Sequence, residues 1–76
     1  MIEVIDGNEY SVEEAHINDV DLSLMSTDMS EFQKSVFSSS VKLKSKSVVN
    51  PSLKVYLALM PVVMRVNGFG GEEGND

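Results

Sequence analysis

The sequence contains no cysteine and no tryptophan, and it has one histidine among 76 residues. Without cysteine the chain forms no disulfide and offers no thiolate to a metal. A single imidazole, that of His16, also argues against a zinc site of the common kinds, so we expect neither a metal nor a cofactor. A core of this size contributes roughly 3–5 kcal/mol on its own. We therefore expect oligomerisation or a larger protein partner to supply further stability.

A long apolar run is missing as well. The uninterrupted apolar run covers residues 55–64, ten residues between Lys54 and Arg65, whereas a membrane-spanning helix needs roughly 20. The first residues also lack the basic and apolar regions of a signal peptide. The sequence therefore predicts a soluble protein without a membrane span. We expect it to be cytoplasmic, or virion-associated if the protein is viral.

Lysine and arginine are absent from the first part of the chain. Residues 1–33 contain nine acids and no lysine or arginine, residues 34–71 contain all six basic residues and no acid, and residues 72–76 add three acids. The formal charge thus runs −9, +6 and −3. Such asymmetry indicates electrostatic pairing, either between the two parts of one chain, between copies, or with another molecule.

The most apolar stretch is the segment 53–66, in which eleven of fourteen residues are apolar. Read as a helix, it has Asn50 as N-cap and Pro51 at the first helical position. Read as a strand, it alternates from Leu53 to Leu59. Pro61 disfavours continuation of either element. The sequence therefore predicts a helix over about 51–60 and a strand over about 62–66.

Turn chemistry predicts a β-hairpin at the start of the chain. Asp6-Gly7 lies between two β-prone runs, which is a strong signal for a hairpin over about residues 2–12. Ser11 and Glu14 have the spacing of a capping box and predict a short helix as far as Asn18. The alternation over 19–24 then predicts a half-buried strand.

An amphipathic helix is predicted over 28–38. Asp28 and Glu31 form a capping pair in its first turn, and Glu31 can pair with Lys34. The residues that follow at helical spacing are Met29, Phe32, Gln33, Val36 and Phe37.

Residues 41–48 alternate as in a strand that places Lys42, Lys44 and Lys46 on one face. Such a lysine row protects an edge strand, or it contacts phosphates without reading sequence. We hypothesise that it meets the acidic region of another copy or of a partner. Charge would then set orientation and encounter rate more than affinity.

Together these patterns predict an α+β fold: one small domain over 1–67 with an N-terminal hairpin, one amphipathic helix and further short strands, followed by a flexible, glycine-rich acidic tail over 68–76. The predicted core contains Ile2, Val4, Val20, Leu22, Phe32, Val36, Leu57 and Leu59.

No motif joins the serines, the carboxylates and His16 into a catalytic site, so we expect no enzyme. The sequence favours a protein-interaction or assembly protein, oligomeric or bound to a larger partner, and its composition resembles that of viral and phage accessory proteins. One alternative is an acidic inhibitor that imitates nucleic acid through residues 1–33. A second is weak nucleic-acid binding through the lysine row 42–46. The predicted partner-binding residues are Lys42, Lys44, Lys46, Tyr56, Met60 and Met64.

Overall fold

A four-stranded antiparallel sheet with two longer helices packed on one face forms the protein, as shown by a computed structural model that describes residues 1–69. The elements are β1 (Ile2–Ile5), β2 (Asn8–Val12), a 3₁₀ turn (Ile17–Asp19), α1 (Leu24–Thr27), α2 (Met29–Ser40), β3 (Val41–Leu43), β4 (Lys46–Ser47) and α3 (Leu53–Val66). The sheet order is β1-β2-β3-β4. The predicted α+β class is confirmed.

The N-terminal hairpin is confirmed. β1 pairs with β2 from Ile2 opposite Ser11 to Ile5 opposite Asn8. Asp6 and Gly7 connect the strands with φ angles of 52° and 83°. Positive φ at both central residues is what a type I′ hairpin turn requires, and Asp-Gly is among the pairs that tolerate it best.

β structure over 41–48 is confirmed, but the single strand with a lysine row is wrong. The segment is a second hairpin, in which Lys42 of β3 lies opposite Ser47 of β4. Lys44 and Ser45 form its turn, with φ angles of 54° and 68°. Directly opposite residues share a face and successive residues alternate, so Lys42 and Lys46 project from opposite faces of the sheet.

The amphipathic helix is confirmed as α2, which runs two residues beyond its predicted end. The Asp28 side chain caps it by accepting a hydrogen bond from the backbone N–H of Glu31 at 3.1 Å. The predicted pairing of Lys34 with Glu31 is confirmed, with 3.4 Å between the Lys34 Nζ and the Glu31 Oε2. The buried face consists of Phe32, Val36, Phe37 and Ser40.

The predictions for 11–24 are wrong. Ser11 belongs to β2 and the chain stays extended beyond it, because the Glu13 N–H donates to the Ser40 carbonyl at 2.9 Å. The Asp21 carboxylate accepts from the Ser23 N–H and hydroxyl at 3.0 and 2.6 Å. This local bonding turns the chain into α1 where the alternation predicted a strand.

α3 is one helix from Leu53 to Val66, so the predicted division at Pro61 is wrong. The N-cap is Ser52, which accepts from the Val55 N–H at 3.2 Å, and not Asn50. Pro61 is exposed, and so is Leu57, four residues earlier. The carbonyl that loses its donor therefore lies on the solvent side, where water can bond to it. No helix among residues 1–69 is both long and apolar enough to cross a bilayer.

Pro61→Ala should raise the free energy of unfolding by about 2 kcal/mol. Proline costs about 3 kcal/mol relative to alanine inside a helix, and the greater freedom of the unfolded chain offsets about 0.4–1 kcal/mol of that gain. Urea denaturation followed by circular dichroism measures the change. Pro51→Ala, outside the helix, is the control and should bring no comparable gain. Equal or lower stability of Pro61→Ala would contradict the helix.

The core lies between the sheet and the two longer helices. Three residues of the predicted core, Phe32, Val36 and Leu59, are buried, and Val20 is half-buried against them. Ile2, Val4, Leu22 and Leu57 are exposed, so their prediction is wrong. Ile2 and Val4 are exposed because they lie on the sheet face away from the helices, and Leu57 because a helix turns it away from Leu59. The core residues not predicted are Tyr10, Val12, Phe37, Val41, Val55 and Val63.

Asn67, the C-cap of α3, joins three segments of the chain. Its Oδ1 accepts from the Ala15 N–H at 2.8 Å, and its Nδ2 donates to the Ser40 hydroxyl and to the Val63 carbonyl, both at 2.9 Å. Ser40 is 1% exposed. The side chain of Asn67 therefore satisfies polar groups that water reaches poorly.

Candidate protein-interaction surface

The six predicted partner-binding residues fall into two separate groups. Tyr56, Met60 and Met64 follow one another at four-residue spacing along α3, and all three are half-buried. Lys42, Lys44 and Lys46 lie on β3, in the turn and on β4. The structure thus brings the α3 residues onto one stripe but divides the lysines. Partner binding by either group stays a prediction.

The α3 stripe lies beside α2. The Phe37 and Tyr56 rings pack with their centroids 4.9 Å apart. At the opposite end of α3, Met64 borders a groove that it shares with the first turns of α2. The two helices are therefore antiparallel neighbours, with a depression at each end of their contact.

The depression at the end of α3 has a volume of about 160 Å³ and is lined by Met25, Met29, Phe32, Gln33, Val36, Met64 and Phe69. We call these seven residues the methionine groove. Apart from Gln33, every lining side chain is apolar. Met25, Met29 and Phe69 are each nearly half exposed, at 46%, 48% and 46%.

Phe69 reaches the groove because of how α3 ends. Gly68 adopts φ +88°, a conformation that glycine takes without steric cost. The Gly68 N–H bonds to the Arg65 carbonyl at 3.1 Å, and the Phe69 N–H to the Met64 carbonyl at 2.7 Å. These two bonds define a Schellman motif. They place the Phe69 ring edge-on to Phe32, with 6.3 Å between the ring centroids.

Sequence reasoning assigned Gly68 and Phe69 to the predicted tail 68–76, and so missed this groove. The available signal was a glycine directly after a helical run with an apolar residue next to it. Residues 70–76, the rest of that predicted tail, lie outside the described residues.

A second depression, of about 430 Å³, lies at the beginning of α3. We call it the tyrosine groove; it is lined by Lys34, Phe37, Val48, Val49, Asn50, Pro51, Leu53 and Tyr56. Val49 and Leu53 at its rim are 77% and 71% exposed. Polar groups of Lys34, Asn50 and Tyr56 interrupt its apolar surface, which makes it less uniform than the methionine groove.

His16 lies at a third, polar depression, between acidic Glu13, Glu14 and Asp19 and basic Lys42 and Lys44. The mixed charges give this surface no single sign. Within residues 1–69, no group of three or more histidine, aspartate or glutamate side chains is placed to hold a metal ion.

Comparison with protein-family models, with curated proteins and with solved structures finds no match to this chain.

Proposed function

We propose that this chain is a non-enzymatic protein-interaction or assembly protein that binds a larger partner through the methionine groove. The observation that carries the proposal is the cluster of half-exposed Met25, Met29 and Phe69 around a single apolar depression. Contiguous exposed apolar surface, unlike scattered apolar residues, is typical of binding sites.

Methionine suits such a surface. Its unbranched, polarisable side chain adapts to differently shaped apolar partners. Phe69, held by the Schellman bonds and by its contact with Phe32, gives the groove one firm wall. The floor, formed by buried Phe32 and Val36, belongs to the core. The groove therefore combines a fixed base with an adaptable rim, and its volume suits an apolar side chain as anchor.

Charge indicates what should flank that anchor. Asp28 lies between Met25 and Met29 in the chain, Asp21 precedes α1, and residues 1–33 contain no lysine or arginine. An interaction surface with acids near its apolar centre favours partners with lysine or arginine around their anchor and speeds their encounter. The partner segment is thus apolar at its centre and basic at its ends.

The nucleic-acid alternative has less support. It rested on a row of three lysines on one face, but Lys42 and Lys46 project from opposite faces and Lys44 occupies a turn. For the alternative of an acidic mimic, the acids of residues 1–33 are spread over different elements: Asp6 lies in a turn, Asp28 caps α2, and Glu3 and Glu9 lie on β1 and β2. They do not form one regular row.

A methionine-methyl NMR experiment tests the proposal. The chain has five methionines, and Met25, Met29 and Met64 line the groove whereas Met1 and Met60 do not. Short peptides with an apolar centre and basic ends, selected by display on the folded protein, should shift the three groove methyl signals and leave the other two unchanged.

Met29→Lys should weaken binding of such a peptide at least tenfold, because it removes apolar contact and repels the basic ends. Leu57→Lys is the matched control: it places the same charge at another exposed apolar residue, 60% exposed and outside the groove. Isothermal titration calorimetry compares the two. Peptides that shift Met1 or Met60 instead, or that bind Met29→Lys as tightly as the parent, would refute the proposal.

A further inference from the structure

Both outer strands of the sheet have a backbone edge without a neighbouring strand among the described residues. On β1, the direction of each backbone group follows from the pairing. Met1 and Val12 exchange both of their hydrogen bonds, at 2.8 and 3.2 Å. In an antiparallel ladder, hydrogen-bonded pairs alternate with non-hydrogen-bonded pairs. The backbone N–H and C=O groups of Glu3 and Ile5 therefore point toward β2, and those of Ile2 and Val4 point outward.

The same reasoning applies to β4. The Val48 N–H bonds to the Val41 carbonyl at 3.1 Å, and Lys46 lies opposite Leu43 next to the two-residue turn. The backbone N–H and C=O groups of Lys46 and Val48 therefore point toward β3. The N–H and C=O groups of Ser47 between them point outward.

The side chains beside these open edges carry opposite charges. Glu3 lies on the face of Tyr10, because the two are directly opposite, and Lys46 lies on the face of Leu43, which is itself opposite Tyr10. Glu3 and Lys46 thus project from the same face, at the two opposite edges of the sheet. Each is the charged residue of its strand.

We propose that a second copy of this chain continues the sheet, with β4 of one copy antiparallel to β1 of the next. Strand directions alternate along the sheet, so this junction extends the existing pattern. Pairing Ser47 with Ile2 joins the outward backbone groups. The same register sets Lys46 opposite Glu3 as a close, non-hydrogen-bonded pair, in which opposite charges are favourable.

The competing junction of β1 with β1 is disfavoured by charge. Among the registers that join the outward backbone groups of two β1 strands, the one with the greatest overlap pairs Ile2 with Val4 of the other copy, and it places Glu3 directly opposite Glu3. Like charges at opposite positions destabilise a strand pair. The β4 edge of the next copy, with its lysine at the matching position, therefore forms the complementary surface.

This junction is head-to-tail, so each added copy leaves one edge of each kind open, and the assembly grows without closing unless the rotation per copy makes a ring. It uses the sheet edges and none of the methionine-groove residues. The two proposals can therefore fail independently.

The absence of native cysteine allows a direct test by oxidation of the variant Glu3→Cys/Lys46→Cys with diamide. Opposite residues of a non-hydrogen-bonded pair have Cα atoms about 4.5 Å apart, within disulfide range. Within one chain the two positions are three strand spacings apart, roughly 14 Å, too far for a disulfide. The expected result is a ladder of covalent dimers, trimers and larger species on a non-reducing gel.

Val4→Cys/Lys46→Cys is the matched control, because Val4 lies on the opposite sheet face. It should give no ladder. A Glu3→Cys/Lys46→Cys protein that stays monomeric or stops at dimers, or a control that forms the same ladder, would overturn the proposal.

Charge reversal provides a second measurement that needs no cysteine. Glu3→Lys should weaken self-association about tenfold in sedimentation velocity at low salt, and adding Lys46→Glu should restore it. Failure of the double reversal to restore association, with both variants folded by circular dichroism, would equally overturn the proposal.

Discussion

Replacing Leu59 with alanine should lower the free energy of unfolding by about 3 kcal/mol, within the range of about 2–5 kcal/mol for buried leucines. Leu59 is 1% exposed and packs between α2 and the sheet. Since a domain of this size gains roughly 3–5 kcal/mol from its core, the variant should be only marginally stable, with a free energy of unfolding of about 0–2 kcal/mol. Thermal and urea denaturation followed by circular dichroism measure the loss.

Leu57→Ala is the matched control, two residues away on the same helix. Leu57 is 60% exposed, so its replacement should change stability by no more than about 0.5 kcal/mol. The pair also distinguishes the two interpretations of the segment, because a strand would place both leucines on one face. Equal losses for the two variants would contradict α3 as described.

Asn67→Ala should lower the free energy of unfolding by about 3 kcal/mol. The substitution leaves the Ala15 N–H and the buried Ser40 hydroxyl without their partner, and each unsatisfied buried group costs about 1–3 kcal/mol. It also removes the side-chain bond to the Val63 carbonyl. The loss should therefore exceed that of an ordinary capping residue, about 1 kcal/mol.

Asn18→Ala is the control for this prediction, since Asn18 is exposed in the 3₁₀ turn. It should stay within about 0.5 kcal/mol of the parent. Hydrogen exchange adds a local readout: the Ala15 amide should lose protection in Asn67→Ala even under conditions where the variant remains folded. An Asn67→Ala protein as stable as Asn18→Ala would show that the three bonds contribute little.

The parts of the fold that sequence predicts are those with local chemistry. Asp6-Gly7 identifies the first hairpin, and Asp28 with Glu31 identifies the start of α2. The second hairpin escaped prediction because Lys44-Ser45 lacks the residues that favour positive φ. Sheet pairing on both sides of this turn holds it in that conformation, and such long-range pairing leaves no trace in a short window of sequence.

The division at Pro61 was wrong for a related reason. The rule against proline inside a helix assumes that the freed carbonyl lacks another partner. In α3 that carbonyl belongs to the exposed side, and burial of Val55, Leu59 and Val63 against the core outweighs local propensity. Which side of a helix faces water depends on the tertiary fold, so the exception could not be read from the segment alone.

The candidate interaction surface was predicted only in part. Tyr56, Met60 and Met64 were predicted to bind a partner, although the sequence placed Met64 on a strand beyond Pro61. The continuous helix α3 places the three on one stripe at i, i+4 and i+8, and of these three Met64 lines the methionine groove. The remainder of the methionine groove comes from α1, α2 and Phe69, which meet only when the chain has folded. The prediction that Lys42, Lys44 and Lys46 share one face was wrong, because alternation over residues 41–46 does not reveal that the strand turns back after Leu43.

The share of the core that comes from α3 has a consequence for biosynthesis. Translation produces β1, β2 and α2 first, before the α3 side chains that complete the cover of apolar Tyr10, Val12, Phe32 and Phe37. Val55, Leu59 and Val63 follow, and Asn67 then joins Ala15 to Ser40. Small domains fold as units, so folding on the ribosome must wait until α3 has left the exit tunnel. Until then the core of the nascent chain lacks one of the elements that exclude water from it.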